Sequence, residues 1–180
     1  RLKLAEAYTA LDEPENALLH WNLAAKAALK AGDLEQAEHA TRQGLAQSPD
    51  DRDANERLLR VFVEGRRGDE AVAQSEKLAT QYQEAGEREK LRDMYRLLTH
   101  LLPDDADLRK RLVNVYLDLN DTEGALGEYE AMAKIASAGK DQRTLEEIYV
   151  KAIRLAPGRA DIQRRFRSFG LGGTVKIRRR

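Results

Sequence analysis

Residues 49–72 read PDDRDANERLLRVFVEGRRGDEAV, and residues 103–126, which begin 54 positions later, read PDDADLRKRLVNVYLDLNDTEGAL. Laid over one another, the two stretches put Pro49 on Pro103, Leu58 on Leu112, Phe62 on Tyr116 and Ala71 on Ala125. The register extends in both directions. Pro157 follows Pro103 at the same spacing, while Leu4, Tyr8 and Ala17 join the columns from the N-terminal side. Further columns hold Leu18, Val72 and Leu126, then Ala37, Leu91 and Leu145, then Thr41, Tyr95 and Tyr149. A fixed period of this length is the mark of a repeat architecture, in which a unit too small to bury its own apolar face stacks on the next copy.

Each copy divides into three helices. In the second copy the spacing predicts helix A over about Arg52–Glu64, ended by Gly65 and Gly68, and helix B over about Asp69–Ala85, ended by Gly86. Helix C follows over about Glu87–Leu102 and is ended by Pro103. Glycine accepts the left-handed backbone that closes a helix, and proline cannot continue one because it lacks an N–H and clashes with the preceding turn. Asp33, Asp69, Asp121 and Asp141 each precede an apolar-periodic segment and are expected to cap it, and Pro14 suits a first helical turn. Leu4, Ala7, Tyr8 and Leu11, like Leu108, Leu112, Val115, Tyr116 and Leu119, keep the three-and-four spacing of one buried helix face. Short turns at Gly32, Gly86 and Gly139 favour continuous antiparallel stacking over a triangular three-helix unit.

At these residues the chain resembles the tetratricopeptide repeats, over about residues 1–169. Leu112, Tyr116, Ala125 and Tyr129 sit where the family keeps its Leu, Tyr, Ala and second-helix aromatic, and Tyr8, Ala17, Trp21 and Ala24 match likewise. A second version of the pattern runs through helices B and C, with Gly32 or Gly86, then Ala37, and Pro49, Pro103 or Pro157 at the exit. The two versions overlap through the shared helix B, so that one family unit of about 34 residues and the lag between the versions together make up the observed period. The resemblance departs at Leu29, Gln83 and Ser137, where an exit proline would end helix B, and at Leu59 and Val113, where the small residue kept as Ala5 is lost. It implies an all-α fold, an α-α superhelix of nine to ten antiparallel helices. The copies span about 1–51, 52–105 and 106–157, a capping helix 158–169 follows, and 170–180 form a basic tail or the start of a further segment.

Composition narrows the chemistry. The 180 residues carry 31 Lys+Arg against 31 Asp+Glu and no cysteine, so disulfides, thiolate metal sites and thiol nucleophiles are excluded. No stretch approaches the roughly 18 apolar residues that span a bilayer, and no apolar leader opens the chain, which reads as soluble and cytoplasmic. The excess of Arg over Lys, 21 to 10, points to a bacterial source, and the start at Arg1 without Met to a piece of a longer protein. His20, His39 and His100 fall in different columns and read as polar helix positions; no metal site, cofactor or enzymatic activity is expected. Gly170-Leu171-Gly172-Gly173 lacks the Lys-Ser/Thr ending of a phosphate loop. The pairs Asp53–Arg57, Asp107–Arg111 and Asp161–Arg165 recur at i,i+4, the spacing of stabilising helix-surface ion pairs.

Helix A varies at its polar positions while the core columns hold, as in a scaffold whose copies have individual binding surfaces. In the family such positions line a groove. Here they are Glu6, Thr9 and Ala10; Glu56, Arg60, Val63 and Glu64; and Lys110, Asn114, Leu117 and Asp118. Of these, Glu6, Glu56, Arg60, Glu64, Lys110, Asn114 and Asp118 are the expected partner contacts. Lys110 and Asn114 are similar to half of the carboxylate clamp that some family members use on a peptide C-terminus.

The neutral total is a cancellation. Residues 158–180 carry a balance of +7 and the remainder −7. Ala160–Phe169 continues the helix A pattern with Ile162, Phe166 and Phe169 as its apolar face. Beyond it, Thr174–Arg178 alternates like a strand. A disordered tail, a strand of a further domain, and an anion-binding arm built on Lys176, Arg178, Arg179 and Arg180 are the three alternatives. The expected function is a non-catalytic scaffold for a protein or peptide partner, with self-association through the ends of the stack as a further mode and nucleic acid disfavoured. The rivals are binding of nucleic acid or acidic membrane through the basic tail, and a regulatory domain of an enzyme lying outside this segment.

Overall fold

Six described residues have a positive φ, and they fall into two columns of the repeat: Asp12, Arg66 and Asn120, then Gly32, Gly86 and Lys140. The structure is a computed structural model and describes residues 1–168, without the side chains of 165–167. Ten α-helices occupy the described residues: α1 (Leu2–Ala10), α2 (Pro14–Ala31), α3 (Leu34–Gln47), α4 (Arg52–Glu64), α5 (Gly68–Glu84), α6 (Arg88–Leu101), α7 (Ala106–Asp118), α8 (Thr122–Ala138), α9 (Gln142–Leu155) and α10 (Ala160–Arg167). Their starts recur without slippage: 52, 106 and 160 for helix A, 14, 68 and 122 for helix B, 34, 88 and 142 for helix C.

Each A–B and B–C turn is closed in one way. The residue after the left-handed one donates its N–H five residues back, as in Glu13 to Tyr8, Arg67 to Phe62 and Asp121 to Tyr116, and again in Asp33 to Ala28, Glu87 to Tyr82 and Asp141 to Ala136. This is the 6→1 bond that satisfies an orphan helix carbonyl. The glycines expected at these turns are only partly the residues that bend them. Gly65 (φ −77°) and Gly139 (φ −76°) keep negative φ, Gly68 is the first residue of α5, and the left-handed positions are Arg66 and Lys140. Asp33, Asp121 and Asp141 cap α3, α8 and α9 by accepting the N–H groups of Gln36, Gly124 and Thr144. Asp69 lies within the first turn of α5 instead of capping it, whereas Asp51 and Asp105 cap α4 and α7 after the prolines. Pro14 occupies the first position of α2, where a missing N–H costs nothing.

The described chain forms two compact units, Arg1–Leu102 and a second that begins at Pro103. Within each, every helix packs mainly on its neighbour in sequence, as in a continuous stack and unlike a triangular three-helix unit. The alanine column is closed to solvent: Ala17, Ala71 and Ala125 are fully buried, as are Leu112 and Ala37, and Leu145 is nearly so. Phe62, Tyr116, Tyr95 and Tyr149 are buried beside them, whereas Tyr8 is half-buried and Leu4 is 45% exposed. Ile162 of α10 is buried, as its apolar face requires. Phe166, Phe169 and the residues from 170 to 180, including Lys176, Arg178, Arg179 and Arg180, lie outside the described side chains. Among the described residues no helix is long and apolar enough to cross a membrane.

A polar staple repeats with the core. In the first unit the Asn55 Nδ2 donates to the carbonyl of Pro49 (3.1 Å), and its Oδ1 accepts from Gln74 Nε2 (2.8 Å). In the second unit the Arg109 guanidinium donates to the carbonyl of Pro103 (2.7 and 2.9 Å) and to Glu128 (2.6 Å). These are the same three columns, joining the proline turn, helix A and helix B. The first copy has Arg1 and His20 in the two side-chain positions, and His20 stacks on Tyr8 with ring centroids 5.2 Å apart, so it is a packing residue and not only a surface one.

Candidate functional site

Two concave surfaces use the expected helix A positions. In the first unit a groove of about 570 Å³ opens between α2 and α4, lined by Lys26, Leu29, Lys30, Asp53, Glu56, Arg57 and Arg60. Its α4 wall follows from the helix period, since 53, 56, 57 and 60 lie on one face above a floor whose neighbours Leu58, Val61 and Phe62 point into the core. Glu56 is half-buried and accepts from the Tyr82 hydroxyl at 2.8 Å. Burial and that carboxylate hold the phenol well above its ordinary pKa. Arg60 pairs with Glu64 along α4 (2.6 Å), an exposed i,i+4 bridge that can open to a ligand at little cost.

Arg57 differs from its neighbours. Only 6% of its surface is exposed, and it donates one hydrogen bond, Nη1 to Asn22 Oδ1 at 3.0 Å. The expected i,i+4 bridge to Asp53 does not form; desolvation lowers the Arg57 pKa, with Asp51 and Asp53 opposing that shift from a distance. In the companion columns, Asp107 bonds Lys110 (2.8 Å), with Arg111 adding to the field that lowers its pKa, and Asp161 bonds Arg159 (2.9 Å). Arg165 lies outside the described side chains.

In the second unit a more enclosed cavity of about 270 Å³ lies among α7, α8 and α9. Lys110 and Asn114 stand on its rim with Thr144, Glu147 and Lys151, over a floor that includes Val113, Tyr129 and Met132. Burial raises the Tyr129 phenol pKa.

The structure therefore brings Glu56 together with Arg60, and Lys110 with Asn114. Glu6, Glu64 and Asp118 are exposed on their helices and line neither surface. Thr9 is used internally, donating to the Ala5 carbonyl and accepting from Trp21 Nε1. Sequence reasoning missed Lys26 and Lys30 on helix B, and Lys151 on helix C. The i,i+4 spacing of Lys26 and Lys30 was the available signal, although it does not say which way helix B is turned. Among the described residues no group of three or more His, Asp or Glu side chains is arranged to hold a metal ion.

No protein-family model and no curated protein matches the chain. Solved structures are similar to the chain, among them the following two. The MamA protein is 16% identical, with 84% of this chain and 89% of that one covered at a TM-score of 0.38. TTC0263, a thermophilic TPR protein of Thermus thermophilus, is 19% identical, with 94% and 97% covered at a TM-score of 0.25. The ten helices of the described residues and their 54-residue register make the fold an all-α helical repeat.

Proposed function

We propose that the chain is a non-catalytic scaffold that binds a partner protein through the grooves lined by its helix A residues. The observation that carries this reading is the groove between α2 and α4, where Glu56 and Arg60 stand over closed core columns and beside an arginine with donors to spare. Core packing fixes the shape of such a surface, while the charged side chains above it are free to differ between copies. The cavity under Lys110 and Asn114 supports the same reading for the second unit, where two lysines and an amide rim an apolar floor. We take the source to be bacterial, on the Arg-over-Lys usage, and the setting to be the cytoplasm.

The test is the triple variant Glu56→Ala, Arg60→Ala, Lys110→Ala, used as bait beside the parent chain, with folding checked by circular dichroism. Loss of a captured partner by the folded variant supports the groove assignment; capture of the same partner in equal amount overturns it.

A further inference from the structure

Resting on that reading, we propose that the groove between α2 and α4 holds a side-chain carboxylate of an acidic peptide segment, with Arg57 as its buried anchor and Lys26 and Lys30 as its outer contacts. Three observations converge on this class of occupant. A guanidinium has five N–H donors, and Arg57, more than nine-tenths buried, places one of them on a neutral amide. Among the described residues no carboxylate reaches it within ion-pair distance. A buried cation without a paired anion is costly, and a carboxylate supplied by a partner removes that cost on binding.

The repeat register sharpens the point. The column that holds Asn22 in the first copy holds Glu76 and Glu130 in the next two, while the column of Arg57 holds Arg111 and Arg165. The column reads Lys3, then Arg57, Arg111 and Arg165 in the second copy, the third copy and the capping helix, but the acid that precedes each arginine at this fixed spacing is replaced by an amide at Arg57 alone. Asn22 also donates weakly to Asp51 Oδ2 (3.4 Å), so its Oδ1 is turned to the guanidinium.

Charge complementarity completes the case. Residues 1–102 carry 15 Lys+Arg against 19 Asp+Glu, yet the groove sets four cations, Lys26, Lys30, Arg57 and Arg60, against Asp53 and Glu56. A locally basic groove on an acidic unit attracts acidic peptide and repels basic segments, which is a specificity device as much as a source of affinity.

The experiment titrates fluorescein-labelled decaglutamate, with decaglutamine as the neutral control, against the full chain by fluorescence anisotropy. The expected result is saturable binding of decaglutamate about tenfold tighter than decaglutamine. Lys26→Ala with Lys30→Ala weakens it about tenfold, whereas Lys3→Ala with Lys140→Ala, the same change in net charge, leaves it nearly unchanged. Asn22→Glu, which restores the acid of the other copies, competes internally and also weakens binding about tenfold while leaving the thermal midpoint unlowered. Equal affinity for the two peptides, or an equal loss in the Lys3/Lys140 control, overturns the proposal. Should Asn22→Glu unfold the chain, the paired lysine variants decide. If a captured partner depends on Glu56, Arg60 and Lys110 while decaglutamate binding fails these criteria, the scaffold reading stands and the carboxylate assignment falls.

Discussion

Arg109 and Glu128 meet at 2.6 Å, with 14% and 17% of their side chains exposed, in the two columns that Asn55 and Gln74 occupy one copy earlier. A partly buried charge pair and a neutral amide pair thus perform one task, tying helix A to helix B while holding the carbonyl of the preceding proline turn. Removing one partner of such a pair leaves the other desolvated, whereas replacing both preserves the hydrogen bonding. Glu128→Ala should therefore cost about 1–3 kcal/mol. The double substitution Arg109→Asn, Glu128→Gln, which copies the earlier pair, should be less destabilising than the two single changes added together, by about 1 kcal/mol. Urea unfolding of the four chains of this cycle measures the coupling.

The turn columns give a second prediction. Gly86, at φ 69°, has nothing within 4 Å of where a Cβ would stand. Gly86→Ala thus isolates the backbone penalty and should cost about 1 kcal/mol. Lys140 occupies the same column at φ 55°. There Lys140→Gly should raise stability by about 0.5–1 kcal/mol. Thermal midpoints moving in opposite directions would bear this out.

Gly124 is required by contact. A Cβ there would stand 2.5 Å from the Tyr116 ring, in the first turn of α8. Gly124→Ala should cost about 1–3 kcal/mol through displacement of that aromatic. Gly127, one turn on and with open space around it, supplies the control. Gly127→Ala should stabilise the helix by about 1 kcal/mol. Denaturant midpoints of the two variants should diverge in sign.

Acid stability follows from Glu38. Burial acts to raise its pKa, but hydrogen bonds and charge from Arg67 and Arg42 outweigh that and hold the carboxyl below its ordinary value. The two guanidinium groups lie over the Phe62 ring, at 4.7 Å for Arg67 and 5.7 Å for Arg42, within reach of its π-face. A depressed carboxylate pKa contributes stability that is present above the unfolded value, about 4.5, and is lost as pH falls through the folded one. Glu38→Gln should lower stability at neutral pH and flatten its decline below about pH 4.5, as read from urea midpoints across that range.

The helices and their register were legible because both follow from apolar spacing and proline placement, and these recur in the chain whatever packs against them. The left-handed turns were less so. Asp12, Arg66, Asn120 and Lys140 take a conformation that costs a non-glycine residue only about 1–2 kcal/mol, an amount that packing of a whole repeat overrides, so glycine marks the column in two of six turns. The site was half legible. Glu56, Arg60, Lys110 and Asn114 follow from the face of helix A opposite its apolar stripe, whereas Lys26 and Lys30 depend on how α2 is turned against α4. Arg57 reads in sequence as half of a surface pair, because i,i+4 spacing to Asp53 is visible there and burial of the guanidinium against Asn22 is not.

The most direct test is of Arg57 itself. The side-chain Nε–H resonance of Arg57 is followed by NMR in the uniformly ¹⁵N-labelled full chain, assigned through Arg57→Lys, as decaglutamate is added. A carboxylate seated in the groove predicts a saturable shift of that resonance, in step with the backbone signals of Lys26 and Lys30 and absent with decaglutamine. An Arg57 signal that stays in place while resonances elsewhere move would contradict it.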